Sequence, residues 1–330
     1  MTVKFTRSRR SGLFCRVAVL LLILVMLLPT VACAGTEETE ATESAIPADK
    51  QEELIAGLDE IEDLPSGTVN SDYVLLCERG TLTAVAGLRA TTRMYPASMT
   101  KLMTFIVAYE EAEDREALIE ITKELKNQYP EGSRVGIDLG DLLTVEQMMY
   151  ALLLESDTDA ALGLALHLAG SEAEFVALMN RKAEEMGLCE THFTNVTGLH
   201  NKEHYSTAAD MAVILDYLLN IPLGREIITT ERYVTWLKYY KNGELAEYRM
   251  TFKNTTLVGR FADNKVNAVL SDGTAVLGGK TGFTDEADYC LASLAKTSDG
   301  REYILITGHA SSGEHSAKDA VKLYGTYAGE

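Results

Sequence analysis

Clustered basic charge is missing from this chain once its first sixteen positions are passed. The 330 residues carry a formal charge of −19, and after Arg16 lysines and arginines nowhere gather, which excludes a nucleic-acid partner because phosphate neutralisation needs them together. Cysteine is scarce too. Of five, Cys15 and Cys33 lie near the N-terminus, leaving Cys77, Cys189 and Cys290, an odd set that allows at most one bridge and excludes a disulfide framework. They read as small buried hydrophobes, since free cysteine is among the most buried residue types. No internal repeat is present, so solenoid and array architectures drop out.

The charge that is there falls unevenly. Lys4, Arg7, Arg9, Arg10 and Arg16 precede an unbroken apolar run from Val17 to Leu28, followed by Pro29 and small residues, the pattern of an export signal. Twelve residues are short for a transmembrane helix, though Leu13 and Phe14 extend the run past Arg16. Ala32-Cys33-Ala34 fits an A-x-A cleavage site before Gly35, and Val31-Ala32-Cys33 resembles a lipobox; Thr30, where a lipobox has leucine, favours the first. Either way the mature protein is expected outside the cytoplasmic membrane, at the cell wall or the outer face of that membrane, and held to it only through the N-terminus if that is uncleaved or lipidated. Residues 1–34 are thus a signal peptide or anchor. Between 36 and 63, eleven acidic side chains face only Lys50, so residues 35–66 read as an acidic flexible linker, with Leu54, Ile55, Leu58 and Ile61 in phase for one short amphipathic helix. The globular domain is expected over 67–330.

Within it, Tyr73–Cys77, a turn at Arg79-Gly80 and Leu82–Ala86 predict a hairpin. Pro96 excludes helix before it and opens one through Leu102–Val107 that ends within 110–115. Thr144 caps a helix to Leu154, and helical periodicity returns over 159–170 and 172–186, with Gly187 as a stop. Ser206 and Thr207 cap a helix reaching Asn220. Then strands take over: a hairpin of Tyr233–Tyr240 and Glu244–Phe252 around Asn242-Gly243, and a meander of Ala275–Thr281, Tyr289–Lys296 and Tyr303–Thr307. A helix over 316–324 closes the chain. Strands first, helices in the middle, and strands with a helix last imply an α+β fold: an antiparallel sheet completed by both chain ends, with a helical subdomain inserted.

Three polar stretches carry chemistry. Ser98-Met99-Thr100-Lys101 places a hydroxyl and an amine three residues apart on one face of a helix start. Burial or a neighbouring cation lowers an amine's pKa, and the amine can then take the serine proton. Free N–H groups at the helix start suit an oxyanion. Ser293-Leu294-Ala295-Lys296 has the same spacing in a predicted strand, so the motif needs company. Ser156-Asp157-Thr158 lies in the gap between two apolar helices, where each side chain could also serve as an N-cap. Gly278-Gly279-Lys280-Thr281-Gly282-Phe283-Thr284 lets a backbone approach a strand closely beside a cation and a hydroxyl suited to a carboxylate.

In that order, S-x-x-K, S-x-[NT] and K-T-G, the chain resembles the serine D-alanyl-D-alanine carboxypeptidases, the low-molecular-weight penicillin-binding proteins. The resemblance runs from about Asp72 onward through Tyr95–Thr104, Gly132-Ser133-Arg134-Val135-Gly136, Asn195-Val196-Thr197-Gly198-Leu199, His204–Ala208 and Gly279–Thr284. It implies the serine β-lactamase/DD-peptidase-like fold, with a five-stranded antiparallel sheet. It implies that Ser98 attacks the carbonyl between the two terminal D-alanines of a peptidoglycan stem peptide while Lys101 takes its proton. Lys280 would hold Lys101 partly neutral by repulsion and, with Thr281, receive the substrate carboxylate. Backbone N–H groups of Ser98 and Phe283, flanking Gly282, would form the oxyanion hole, Ser156 would pass a proton to the departing D-alanine, and Thr158 would contact substrate. β-Lactams would acylate the same serine, and no metal or organic cofactor is required.

The chain departs from the family in four places. Thr158 replaces an asparagine whose amide can donate and accept at once. Asp288 stands where a glycine commonly precedes Tyr289. No arginine lies between Gly308 and Lys318, where His309 or His315 would have to compensate. No room remains for a C-terminal β domain. The alternatives are a catalytically weak penicillin-binding or wall-binding protein and a β-lactamase, although the Glu-x-x-Leu-Asn segment of the class A type is missing. His200-Asn201-Lys202-Glu203-His204 matches H-x-x-E-H, yet that motif holds zinc only on a helix, and here it reads as loop.

Overall fold

The computed structural model describes residues 49–58 and 61–328; the expected signal or anchor and the start of the linker lie outside them. Helix α1 (Asp49–Leu58) is followed by strands β1 (Tyr73–Glu78) and β2 (Ala84–Leu88), then by a tight 3-10 turn (Ala97–Thr100) that runs directly into α2 (Lys101–Glu111). β3 (Leu118–Glu120), α3 (Lys123–Gln128) and β4 (Asp141–Thr144) lead to the helical layer: α4 (Val145–Leu154), α5 (Thr158–Ala169), α6 (Glu172–Glu185), α7 (Ala208–Asn220) and α8 (Pro222–Thr229). Strands β5 (Arg232–Lys241) and β6 (Glu244–Lys253), a π-helical stretch (Thr255–Ala262), strands β7 (Ala275–Thr284), β8 (Asp288–Lys296) and β9 (Glu302–Ala310), and helix α9 (Gly313–Tyr327) complete the order.

The caps fall where the residue types demand them. Thr144 accepts from Gln147 N while the Gln147 side chain accepts from Thr144 N, a reciprocal capping box for α4. Asp157 caps α5, Gly170 ends it in the left-handed region, and Thr207 caps α7.

The main sheet is antiparallel in the order β2-β1-β9-β8-β7, with both chain ends in it as the residue pattern predicts. Alternation along β1 divides the core. Leu75 and Cys77 join the helical layer with Phe105 and Ile306, while Val74 and Leu76 pack under α9 with Leu323 and Tyr324. β7 is left as an edge strand, bordering the 3-10 turn that carries Ser98.

Three features depart from the sequence reading. The β5–β6 hairpin does not stand alone but extends a second sheet, β3-β4-β5-β6. Strand β7 runs on to Thr284, so Gly282 and Phe283 are strand residues. The stretch expected as a solvated linker is partly docked: α1 packs on α7, with Leu54 1% exposed and Gln51 Nε2 donating to Asp210 Oδ1 at 2.6 Å. One apolar residue per turn gives α1 a face to bury despite its charge, so packing begins before Gly67. Cys77 and Cys290 are buried free thiols.

Candidate active site

Ser98 lies in the 3-10 turn and Lys101 opens α2, so one turn of backbone brings them together: Lys101 Nζ is 3.2 Å from Ser98 Oγ. Ala97 is held in the left-handed region at φ +47° just before the serine, a local strain of the kind that collects at functional sites. The lysine is fixed from behind. Asn195 Oδ1 accepts from Thr197 N, Thr197 Oγ1 and Gly198 N, tying a tight turn whose Thr197 carbonyl accepts from Lys101 Nζ at 2.8 Å. Gly198, at φ +83°, passes so near the serine turn that a Cβ there would stand 1.8 Å from the Ala97 oxygen. No other residue fits.

Lys101 is 1% exposed. Burial pushes its pKa down to about 7, with Asp157 pulling the other way. Burial leads that lowering, and Lys101 and Lys280 also repel one another. Lys280, wholly buried on β7, is itself held well below the ordinary lysine range, first by burial and then by Lys101 and Arg260. Burial also brings Arg260 down to about 10; it lies over the Tyr289 ring at 5.3 Å. Lys101, Lys280 and Arg260 are thus three buried basic groups in one neighbourhood, with Asp157 the acid that acts on Lys101. Asp157 is fully buried, its pKa raised to about 6 by burial, and it accepts from Ala160 N and Val135 N.

Ser156 is 7% exposed, at φ +61°, and its hydroxyl is buried with no hydrogen-bond partner among the described residues. Next to it, Thr158 N donates to Ser133 O at 2.9 Å and the Thr158 side chain packs against Gly132. Arg134 Nε donates to both oxygens of Asp159, at 3.1 and 3.2 Å, while its other nitrogens reach the carbonyls of Pro130, Lys126 and Tyr129. The Gly132–Gly136 segment therefore buttresses the Ser156 turn.

The third stretch closes the site from the sheet. A Cβ on Gly282 would lie 2.9 Å from Pro96 O and 3.2 Å from Ser98 N, so only glycine lets β7 run against the serine turn. Lys280 Nζ donates to Thr281 O, and Thr281 Oγ1 donates to Thr255 Oγ1 at 3.1 Å. Phe283 is 47% exposed, its ring against Tyr289.

The sequence singled out seven of these side chains and Gly282. It read Asp157 only as a helix cap and assigned no roles to Arg260, Thr197 or Thr255, although Asn195-Val196-Thr197-Gly198-Leu199 was among the stretches that carry the resemblance. The H-x-x-E-H match falls in loop. Its histidines turn to different neighbours, His200 to the Tyr95 ring and His204 Nε2 to Thr100 Oγ1.

A half-buried serine against a buried lysine at a helix start, between a strained serine turn and the edge strand of an antiparallel sheet, defines the β-lactamase-like serine acyl-transfer fold. The chain belongs to the D-alanyl-D-alanine carboxypeptidase family, peptidase family S11, whose sequence profile matches residues 60–311. It is 33% identical over 249 residues to the D-alanyl-D-alanine carboxypeptidase DacF of Bacillus subtilis, covering 74% of this chain and 59% of that one. To a D-alanyl-D-alanine carboxypeptidase of Streptomyces strain K15 it is 31% identical over 253 residues, 74% of this chain and 82% of the relative. The crystal structure of the Streptomyces K15 DD-transpeptidase superposes with a TM-score of 0.69 at 26% identity, over 80% of this chain and 98% of that one. The chain spans about three-fifths of the Bacillus relative's length.

Proposed function

We propose that this chain is an extracytoplasmic serine D-alanyl-D-alanine carboxypeptidase that trims peptidoglycan stem peptides through an acyl-enzyme on Ser98. The observation that carries this is the buried Lys101 amine, 3.2 Å from Ser98 Oγ and poised at about 7. In its neutral form it accepts the hydroxyl proton as Ser98 Oγ attacks the carbonyl between the D-alanines. The substrate backbone adds along the free edge of β7. Its terminal carboxylate meets the Thr281 hydroxyl and the positive potential of Lys280 and Arg260, and its oxyanion the N–H groups of Ser98 and Phe283. When the C–N bond breaks, the proton held by Lys101 passes through the Ser156 hydroxyl to the departing amine, and D-alanine leaves. Water then hydrolyses the ester and restores Ser98. A β-lactam enters as an acylating mimic whose ring amide opens onto the same oxygen.

Intact-mass measurement after mixing with benzylpenicillin, alongside D-alanine release from diacetyl-L-Lys-D-Ala-D-Ala, tests the proposal. A stable penicilloyl adduct with D-alanine release, both lost in Ser98→Ala, supports it. An adduct without release favours a wall-binding or weakly active protein, and consumption of penicillin with rapid loss of the adduct a β-lactamase. The Streptomyces K15 neighbour is a DD-transpeptidase, which favours one second reading: an amine acceptor in place of water. A cross-linked peptide product in the presence of an added amine distinguishes it.

A further inference from the structure

The outer face of the β3-β4-β5-β6 sheet is apolar and basic at once. Alternation along β5 sends Tyr233, Thr235 and Leu237 inward, where they are used in packing. Tyr233 stacks on Tyr150 at 3.7 Å between ring centroids, Gln147 Nε2 donates to Thr235 Oγ1, and Leu237 is fully buried. The other set points away from the core. Val234, Trp236 and Tyr240 are 47, 56 and 66% exposed, and Leu245, opposite Tyr240 on β6, is 53% exposed. The register carries this face across β4 to Leu118 on β3, 43% exposed. Monomeric proteins rarely leave so many large apolar side chains together on one surface.

The same face holds the charge that the rest of the chain lacks. Arg232, Lys238, Arg249 and Lys253 alternate with the apolar residues of β5 and β6 against two acids, Glu247 on β6 and Glu120 across on β3, in a protein of net charge −19. Arg232 also pairs with Glu231 at the strand's start. Tryptophan and tyrosine favour the headgroup layer of a bilayer, and basic side chains favour anionic headgroups. A second copy laid face to face would oppose four cations to four, and a neutral glycan offers those cations no counter-charge. We propose that the β5–β6 face docks onto the surface of a bilayer carrying anionic phospholipid headgroups. Trp236, Tyr240 and Leu245 then sit in the interfacial layer. No single described helix is long and apolar enough to cross a membrane, so the contact is a surface one. The N-terminus is then not the sole point of membrane attachment.

Trp236 is the only tryptophan of the chain, so its emission reports this face without a label. The full chain is mixed with vesicles of phosphatidylcholine alone, or with phosphatidylglycerol added. The expected result is a blue shift and loss of acrylamide quenching with phosphatidylglycerol only, reversed by salt because the attraction is electrostatic. Arg249→Glu with Lys253→Glu should weaken the response on the order of tenfold or more and leave D-alanine release from the soluble peptide unchanged. Salt reversal in the unaltered protein is the independent measure should that variant misfold. An unchanged Trp236 spectrum while the protein sediments with vesicles overturns the proposal, because the N-terminus alone is then the contact. A shift on concentrating the protein without lipid overturns it in favour of a second copy, and a shift with dissolved glycan or poly(glycerol phosphate) in favour of a wall polymer.

Discussion

Thr158 occupies the space that a side chain on Gly132 would need: a Cβ built on that glycine falls 2.5 Å from Thr158 Oγ1 and 2.7 Å from its Cβ and Cγ2. The loop opposite the Ser156 turn therefore needs bare backbone at Gly132 to pass the Thr158 side chain.

Gly132→Ala should push the Ser156 turn out of place. Turnover of a D-Ala-D-Ala peptide is expected to fall about tenfold or more, since small displacements of reacting groups are costly, while circular dichroism stays that of the folded protein. Thr158→Asn supplies an amide that can donate and accept, so its kcat/KM should equal or exceed the parent's. A large loss would show that the threonine serves a different substrate.

Acylation should follow the neutral fraction of Lys101. With its pKa lowered by burial to about 7, the base is protonated and inactive in acid, and the rate constant for benzylpenicillin should climb through about pH 7 to a plateau. Lys101→Ala should lower it by about 10²- to 10⁴-fold, the usual contribution of a general base, and abolish that rise. Time-resolved intact mass across the pH range reads both.

Arg134→Ala should destabilise the domain by about 3 kcal/mol, because it leaves Asp159, 1% exposed, with only Lys126 as a cationic partner. Arg134→Lys should recover only part of this, since an ammonium cannot fork between a carboxylate and three carbonyls. Urea unfolding midpoints at a common slope give the comparison.

His204 sets an acid limit on stability. Its Nδ1 accepts from Thr194 N, leaving Nε2–H to donate to Thr100 Oγ1, so the fold holds the neutral ring and burial lowers its pKa to about 3. A lowered histidine pKa contributes stability that is complete above about 6.5 and is lost as pH falls toward 3. By pH 5 the loss is about 2 kcal/mol. His204→Gln should be less stable at neutral pH yet lose less on acidification. Asp157 and Asp210, both raised to about 6 by burial, favour the fold on the acid side and oppose this trend. The difference between parent and variant isolates the imidazole.

Much of the fold was legible because its signals are local. Thr144, Asp157, Thr207 and Gly170 mark helix ends by their own chemistry, and Asn242-Gly243 turns the β5–β6 hairpin. The second sheet was not, since β3 and β4 are three and four residues long and too short to show a period; their pairing depends on tertiary contacts. Docking of α1 turns on the single buried Leu54 and on Gln51 meeting Asp210, 159 positions later. In the site, Ser98, Lys101 and Lys280 stood out by spacing. The burial that leads the lowering of Lys101, and the place of Arg260 beside Lys280, are properties of packing that no spacing encodes.

The strand order has a temporal side. β1 lies between β2, its hairpin partner, and β9, which ends at Ala310 of a 330-residue chain. The edge strand that borders Ser98 is held to the sheet through β8 and β9 alone. Most of the polypeptide must therefore exist before the centre of its sheet can close, and a partly synthesised chain has no assembled nucleophile. Long-range pairing of this kind makes folding slow, so the molecule stays without acylating power until the chain through β9 is free to fold.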